Sequence, residues 1–289
     1  MADIGEIRER LQNLHTIDHL IRSMRAISAI RWRKGKSRLY AAQRYAERVQ
    51  AQLSLVANYP TPLVRSAGQT DKPIKETALV VIGSDHGLCG PFNSVLFHTA
   101  DVYIDRWREA GRHVQIIALG EYARRYYCDK VEMCTLLWTH RFPLTHVVSF
   151  LETREIWQNI EALYQQEGID ELYLIYNYFI SFGRYRQRLV RLLPPELTPL
   201  HLDREDLPIL GSDASELQRL VLVEHLALQL YLGLVESMVS EQGARLQAMD
   251  AAKANIDDRT AELGRSYHLA RQEGITQEML EIATGAGTL

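Results

Sequence analysis

The chain has 289 residues, 46% of them hydrophobic, so it is long enough for one large core or two smaller ones. Its net charge of -3 argues against a dedicated nucleic-acid-binding protein, because such proteins are usually clearly basic. The charged N-terminus, the short apolar run over 172–180 and the three cysteines predict a soluble intracellular protein without signal peptide, transmembrane helix or disulfide framework.

The first 59 residues predict one long helix. All nine prolines fall between Pro60 and Pro208, and proline inside a helix costs about 3 kcal/mol. Apolar residues recur at spacings of three and four, as in a helix that packs along another helix. They are Ile4, Ile7, Leu11, Leu14, Ile17, Ile21, Met24 and Ile27, followed by Leu39, Ala42, Ala46, Val49, Leu53 and Val56. A helix over residues 3–58 would be about 80 Å long.

The middle of the chain predicts an open sheet covered by helices. Short apolar runs at 78–82 and 114–119 are typical of buried strands, and helices are expected near 95–110 and 158–166. The runs 172–180 and 185–192 predict a hairpin around Phe182-Gly183. Alternating strands and helices indicate an α/β domain.

The last part of the chain predicts a second long helix, capped by Ser212 or Asp213. Its apolar stripe consists of Leu217, Leu220, Val221, Leu228, Tyr231, Leu234, Val235 and Met238, then Leu246, Met249, Ala252, Ile256 and Leu263. Residues 1–58 hold 11 basic and 5 acidic side chains, a balance of +6, whereas residues 213–289 hold 6 and 12, a balance of -6. Opposite charges favour pairing of the two ends, although buried apolar stripes would supply most of the stability.

These elements predict a fold that combines α+β and α/β features. Residues 1–59 and 212–289 are expected to form a long antiparallel two-helix coiled coil. A Rossmann-like α/β domain over residues 76–208 is inserted between them.

The turn at 83–90 lies between a strand and a helix, where phosphate-binding loops are common. Its glycine spacing fits neither the dinucleotide-binding pattern nor the P-loop. A structural turn is the favoured interpretation, with a partner-contacting loop as the alternative and a nucleotide site disfavoured. Ser84, Asp85 and His86 are residue types of a hydrolytic triad, but neighbours on one turn rarely point at a common centre.

Two further groups of residues could in principle bind a metal or undergo oxidation. His15 and His19 could share a helical face, but zinc would need two more ligands, so solvated histidines are favoured. Cys128 and Cys134 could form a redox switch, but two buried thiols explain them more simply. No catalytic residue, metal site or cofactor site is therefore predicted.

The segment between His19 and Ala46 carries eight basic residues and no acidic ones. A solvated helix face and a nucleic-acid stripe are both possible interpretations, although the stripe would need more interleaved aromatic residues. An acidic protein partner, or the charged surface of an annular complex, is favoured.

Four motifs in order along the chain resemble gamma subunits of F-type ATP synthases. Residues 230–249, LYLGLVESMVSEQGARLQAM, are similar to the family's C-terminal helix signature, and residues 267–289 contain ARQxxITQExxEI. The start, IGEIRERLQNLHTIDHLIRSMRAISAIRWRKGK, resembles the N-terminal helix, and SDHGLCGxxN stands where the family has a turn reading DRGLCG.

The resemblance implies a central rotor shaft that couples transmembrane ion flow to ATP chemistry on other subunits and is itself no enzyme. The implied partners are the alpha and beta subunits of the catalytic ring, the epsilon subunit and the membrane ring of c subunits, with no nucleic acid and no small-molecule substrate. The implied location is peripheral, on the cytoplasmic side of an energy-transducing membrane. The positions that match subunit-contact or coupling residues are Met24, Arg33, Lys34, Asp85, Glu241, Arg245, Arg271, Gln272 and Thr276.

Some positions depart from the family pattern. His86 stands where arginine is usual, which weakens any charge contact from that turn, and Ile30-Arg31-Trp32 replaces a more usual Ser-Lys-Met. Two other hypotheses remain: a nucleotide-binding α/β enzyme with helical dimerisation arms, and a coiled-coil adaptor. The enzyme requires a polar cluster at the strand ends, and the adaptor leaves the four motifs unexplained.

Overall fold

The computed structural model describes residues 4–59, 61, 73–130, 132–142, 148–195, 199, 207–211 and 213–286. The chain divides into two compact units. We call Ile30–Ala244 the sheet unit, and Met1–Ala29 together with Arg245–Leu289 the helical unit. The predicted segments 1–59, 76–208 and 212–289 follow the secondary structure instead, so both long helices contribute to both units.

The two terminal helices form as predicted. Helix α1 spans Ile4–Val56 with 53 residues, and helix α5 spans Ala214–Ala286 with 73 residues. Asp213 caps α5, because its Oδ2 accepts a hydrogen bond from the backbone N–H of Glu216 at 3.2 Å. Ser212, the alternative cap, lies outside the described residues.

The sheet has five strands in the order β3-β2-β1-β4-β5. The strands are β1 Glu76–Ile82, β2 His113–Leu119, β3 Thr135–His140, β4 Glu171–Ser181 and β5 Arg184–Leu193. The first four strands are parallel to one another, and β5 pairs antiparallel with β4 as the predicted hairpin. The strand order reverses at β1, so the crevice between the carboxyl ends of β1 and β4 is where an open sheet of this kind usually binds ligands.

Three helices cover the sheet: α2 Phe92–Glu109, α3 Glu121–Cys128 and α4 Phe150–Gln166. Helix α3 and strand β3 were not predicted. Strand β3 is an edge strand with half-buried side chains, and α3 has 8 residues, so neither carries a long periodic pattern. Helix α4 contains the predicted helical segment 158–166 and begins at Phe150, where Ser149 and Glu152 form a capping box.

Each face of the sheet packs on helices. On one face, the fully buried Trp157 and Ile160 of α4 and Leu230 of α5 belong to the same core as the strands. On the other face, α2 and α3 supply a second core. Gly233 allows the close approach of α5, because a Cβ atom at this position would lie 2.9 Å from Leu174 Cδ2. The central part of α5 is therefore a core helix of the α/β domain as well as a partner of α1.

In the sheet unit, α1 and α5 run antiparallel. Leu39 and Val49 of α1 are buried in one cluster with Val235 and Val239 of α5. The side chain of Gln43 contacts Glu236 at 3.4 Å. Just beyond the C-terminal end of α1, Gln218 of α5 donates a hydrogen bond to the carbonyl of Tyr59 at 3.0 Å.

In the helical unit, the same antiparallel pairing is held by both apolar and charged contacts. Asp18 is 7% exposed and pairs with Lys253 at 3.2 Å, and Arg25 pairs with Asp250 at 2.8 Å. Near the tip, a Cβ atom on Gly274 would lie 3.7 Å from Ile4. A seam that carries a buried carboxylate is less apolar than the pattern of α1 predicted.

Two predicted members of the α1 seam were wrong. Ile17 and Ile27 are 45% and 51% exposed. The buried positions are Asp18 and Ser28, each one residue further along the chain. Ser28 falls on the heptad position of Ile7 and Ile21, and Asp18 falls on that of Ile4 and Leu11. The heptad therefore continues through polar residues, which a pattern of apolar residues does not reveal. Leu220 of the α5 stripe is exposed as well.

Within the described residues, α5 contains a segment that is apolar and long enough to cross a membrane. Half of this apolar segment is buried inside the protein. Its packing on the sheet and on α1 accounts for the apolar composition.

Candidate functional site

The turn after β1 is closed by hydrogen bonds within the turn and to the start of α2. Ser84 is buried, and its backbone N–H donates to Asn93 Oδ1 at 3.0 Å. Asn93 Nδ2 donates back to Ser84 Oγ at 2.7 Å, and Ser84 Oγ donates to the carbonyl of His86 at 2.9 Å. The serine hydroxyl is therefore committed to the backbone of the turn, which is not the geometry of a nucleophile held by an imidazole. These contacts agree with the structural-turn interpretation.

Asp85 holds together two backbone segments that are distant in sequence. Its Oδ1 accepts a hydrogen bond from the N–H of Glu121 at 3.0 Å, and its Oδ2 accepts from the N–H of Phe142 at 3.0 Å. The first bond satisfies a donor at the start of α3, and the second fixes the chain after β3. Burial raises the pKa of the Asp85 carboxyl against the effect of the Phe142 and Glu121 donors.

Next to Asp85, three arginines surround the buried carboxylate of Glu121. Arg124 forms two hydrogen bonds to it, from Nε at 2.9 Å and from a terminal nitrogen at 2.7 Å. Arg125 Nε donates at 2.7 Å, and Arg141 Nε lies 3.2 Å from the second oxygen. Hydrogen bonds from Arg124 and Arg125 stabilise the ionised carboxylate and lower the pKa of Glu121 to about 2. We call Glu121, Arg124, Arg125 and Arg141 the arginine cluster.

The crevice between β1 and β4 is filled by side chains of the chain itself. From α5, Ser240 donates to the carbonyl of Asn177 at 3.2 Å, and Ser237 lies 3.5 Å from the carbonyl of Ile82. Asn177 Nδ2 donates to the carbonyl of Phe92 at 3.1 Å. The cavity that remains beside Ser237 has a volume of about 60 Å³. Small-molecule sites usually need about 300–1,000 Å³, so the crevice has no room for a nucleotide.

The family follows from comparison with known proteins. A family model described as ATP synthase matches residues 3–289. Curated relatives include the ATP synthase gamma chains of Nitrosococcus oceani, 29% identical over 297 residues, and Desulfitobacterium hafniense, 29% identical over 290 residues. In both comparisons the alignment covers 100% of this chain and 100% of the relative. The chain belongs to the family of ATP synthase gamma chains.

Solved structures share the fold of this gamma-chain family member. A chain in the cryo-EM structure of the Euglena gracilis mitochondrial ATP synthase, OSCP/F1/c-ring, matches with a TM-score of 0.69 and 15% identity, covering 99% of this chain and 94% of that chain. A chain from the central stalk and c-ring of the Tetrahymena thermophila enzyme matches with a TM-score of 0.59 and 21% identity, covering 81% and 99%. The predicted coiled coil with an inserted α/β domain is therefore the family fold.

The positions predicted to support coupling are divided between the two units. Asp85 and Glu241 lie in the sheet unit near the carboxyl edge of the strands, where both line the small cavity. Arg33 and Lys34 are exposed on the part of α1 that belongs to the same unit. The remaining positions lie in the helical unit: Met24, Arg245, Arg271, Gln272 and Thr276.

Their exposure separates the helical positions into two kinds. Arg271, Gln272 and Thr276 are exposed, and Thr276 Oγ1 donates to the backbone carbonyl of Gln272 at 2.8 Å. Met24 is half-buried, and Arg245 is 5% exposed. Burial of its long stem makes Arg245 part of the packing of the chain.

The histidines and cysteines that could carry metal or redox chemistry do not belong to the arginine cluster. Among the described residues, no group of three His, Cys, Asp or Glu side chains is placed to hold a metal ion. His15 and His19 are exposed on α1. All three cysteines are free; Cys134 is buried as predicted, but Cys128 is exposed, because it lies at the end of α3.

The arginine cluster was missed by sequence reasoning. Glu121, Arg124 and Arg125 lie in a helix that was not predicted, and Arg141 follows a strand that was not predicted. The run EYARRYYC does contain a signal, an acidic residue followed three and four residues later by arginines. The third arginine comes beside them in the folded chain, where the N–H of Gly120 donates to the carbonyl of His140 at 2.8 Å and Asp85 accepts from Glu121 and Phe142.

Proposed function

We propose that this chain turns as the central shaft of an F-type ATP synthase and couples transmembrane ion flow to ATP synthesis or hydrolysis on other subunits. Membership of the gamma-chain family makes it a central-stalk subunit of that complex. The observation that carries the mechanical part is the antiparallel pairing of α1 and α5, which is present in the sheet unit and again in the helical unit.

Paired helices of this kind suit a part that transmits torque. A heptad seam resists sliding and unwinding because each buried side chain is locked against the facing helix. Charged pairs such as Asp18–Lys253 and Arg25–Asp250 favour one register, since a shift would break both contacts between the helices and leave Asp18 with only Arg22 of its own helix. Elsewhere the exposed face of the helical unit is mostly polar, which suits a surface that must turn against its neighbours.

We infer that the chain has no catalytic site of its own. In an open α/β sheet the crevice between β1 and β4 is the expected place for a substrate. Here Ser237, Ser240 and Asn177 occupy it with hydrogen bonds to backbone carbonyls, and Ser84 is buried in the turn. The polar cluster that the enzyme hypothesis requires is present at the strand ends, but its side chains are bonded to one another and to the backbone.

The proposed partners are the alpha and beta subunits around the coiled coil, and the epsilon subunit and the c-ring at the α/β domain. The relatives support membership of the complex. Segments 1–59 and 212–289 are proposed to contact the alpha and beta subunits, and segment 76–208 is proposed to contact the epsilon subunit and the c-ring. Within this arrangement Met24, Arg33, Lys34, Asp85, Glu241, Arg245, Arg271, Gln272 and Thr276 are proposed to support coupling. The proposed location is peripheral, on the cytoplasmic side of the membrane.

Rotation of a label on this chain tests the proposal. Cys128 is the exposed thiol, whereas Cys89 and Cys134 are buried, so Cys128 can carry a bead or fluorophore without substitution. We expect ATP to drive continuous rotation of that label in a complex immobilised through its beta subunits. A label that stays still while the complex hydrolyses ATP would contradict the shaft role.

Calorimetry on the purified chain tests the inference that it is not an enzyme. We expect no heat of binding for ATP or NAD, because the crevice is filled. Micromolar binding of either ligand, abolished by a bulky substitution such as Ser237→Leu, would favour the nucleotide-binding enzyme instead.

A further inference from the structure

The arginine cluster holds more positive charges than its single carboxylate can neutralise. One carboxylate, Glu121, is surrounded by three guanidinium groups, so the four side chains together leave an excess of two positive charges. The Glu121 side chain is 5% exposed, whereas those of Arg125 and Arg141 are 67% and 66% exposed. Each guanidinium has about five N–H donors, and the contacts to Glu121 use only one or two from each. The outer edges of two arginines therefore face solvent in a fixed orientation.

Asp85 sets that orientation from outside the cluster. Its two oxygens bind the N–H of Glu121 and the N–H of Phe142, the residue after Arg141. The start of α3 and the chain after β3 are thereby held at one distance. Asp85 is thus a positioning residue for Glu121 and Arg141.

We propose that the arginine cluster is a docking surface for a carboxylate-bearing segment of another protein subunit of the same complex. The proposal rests on the proposed function, which supplies such subunits. Planar guanidinium groups bind carboxylates in pairs of parallel hydrogen bonds, and arginines fixed by a buried glutamate lose little side-chain entropy on binding.

The cluster also adds positive charge beside the turn after β1. Arg141 lies close enough to Asp85 to lower the pKa of its carboxyl, as His86 does. Positive charge near this turn is therefore supplied by α3 and by the chain after β3.

A protein segment fits this surface better than a phosphate ligand or a lipid head group does. The two outer arginines are about two-thirds exposed and come from separate segments, so they form an open surface and not a concave pocket. The glutamate at the centre also disfavours a doubly charged phosphate drawn in between the guanidinium groups. An extended acidic segment can contact the outer edges without approaching Glu121.

The test measures the affinity of the full-length chain for the remainder of its complex at low and high salt. We expect Arg125→Gln and Arg141→Gln each to weaken association about three- to tenfold at low salt, and the difference to shrink at about 0.5 M salt. Arg106→Gln is the matched control, since Arg106 is an exposed arginine on α2 outside the cluster. Wild-type affinity for both cluster variants, or an equal loss in the control, would overturn the proposal.

Glu121→Gln distinguishes binding that depends on ordered guanidinium groups from binding that depends only on net charge. This change makes the cluster more positive, so net charge alone would strengthen binding to an acidic segment. We expect weaker binding, because the three guanidinium groups lose the carboxylate that orders them. Asp85→Asn should act in the same direction, and melting of each variant confirms that the chain has folded. Tighter binding of folded Glu121→Gln would overturn the role of the ordered cluster.

Two outcomes keep this inference distinct from the proposed function. If the wild-type chain rotates with ATP but the arginine variants associate normally, the docking surface is wrong and the shaft role stands. If the wild-type chain does not enter the complex at all, the proposed function fails first. Binding of the wild-type chain to vesicles with about 30% phosphatidylglycerol, lost in Arg125→Gln while subunit association is unchanged, would replace the protein segment by a membrane surface.

Discussion

The sheet unit and the helical unit use the same two helices in different ways. Within the sheet unit, residues 226–244 of α5 are buried nearly all round, and Leu230 is fully buried in one core with the sheet and α4. Within the helical unit most of α5 is exposed, and its buried contacts to α1 include the charged pair Asp18–Lys253. One helix therefore changes from a core element to half of a narrow coiled coil, and its composition changes from mostly apolar to small and charged residues.

This difference indicates where the stability of the chain comes from. A residue buried between three elements gains more from burial than one in a two-helix seam, where each side chain keeps a flank toward water. The sheet unit should thus anchor the fold. The helical unit should be the part whose chemistry can be changed most without unfolding the protein.

The largest expected effect is in the core of the sheet unit. Leu230→Ala should lower the free energy of unfolding by about 3–4 kcal/mol, because it removes a fully buried side chain and leaves a cavity. Leu220→Ala in the same helix is the matched control, since Leu220 is 53% exposed and should cost less than about 1 kcal/mol. Urea titration of both variants measures the difference, and equal losses would remove the distinction between the two settings.

Arg245 and Arg271 sharpen the comparison inside the helical unit. Arg245→Ala should cost about 1–3 kcal/mol of stability, since its side chain is buried. Arg271→Ala should cost less than about 0.5 kcal/mol, because Arg271 is exposed. If Arg271 matters for coupling, ion pumping by the reconstituted complex should fall while melting of the chain is unchanged. Normal pumping with normal assembly would show that the family role does not apply to Arg271.

The Asp18–Lys253 pair tests whether the polar seam favours stability or register. Asp18→Ala should lower the melting temperature of the chain, because it leaves Lys253 without this partner in the seam. Asp18→Leu should recover that loss, since an apolar residue fits the heptad position. We expect cysteines at Arg25 and Asp250 to crosslink cleanly in the wild-type background and less selectively with Asp18→Leu. Unchanged selectivity would assign the register to other contacts.

The smallest effect concerns acid stability of the sheet unit. The folded pKa of Glu121 is about 2, below its ordinary value of 4.5, so ionised Glu121 stabilises the folded state above about pH 4.5. That contribution is lost progressively as the pH falls toward 2. We expect Glu121→Gln to reduce the difference in unfolding free energy between about pH 5 and pH 3. An identical difference in the wild-type chain and the variant would mean that the arginines do not act on Glu121 in the folded state.

Regular patterns explain which elements were predictable. The proline-free ends predicted α1 and α5, and short apolar runs predicted β1, β2 and the hairpin of β4 and β5. Strand β3 was missed because an edge strand keeps partly exposed side chains, and α3 because a helix of 8 residues has little room for a period. The seam of α1 was placed one residue off at Ile17 and Ile27, because apolar type alone cannot recognise Asp18 as buried.

The amino-acid sequence by itself determined the two long helices, the class of the inserted domain and the family, because these depend on periodicity, on proline placement and on motifs that are continuous in the chain. Only the tertiary structure decided what Asp85 does. Its partners, Glu121 and Phe142, lie 36 and 57 residues away, and no local pattern links them. The same holds for the arginine cluster and for the filled crevice, since a site assembled from strand ends exists only once the sheet has brought those ends together.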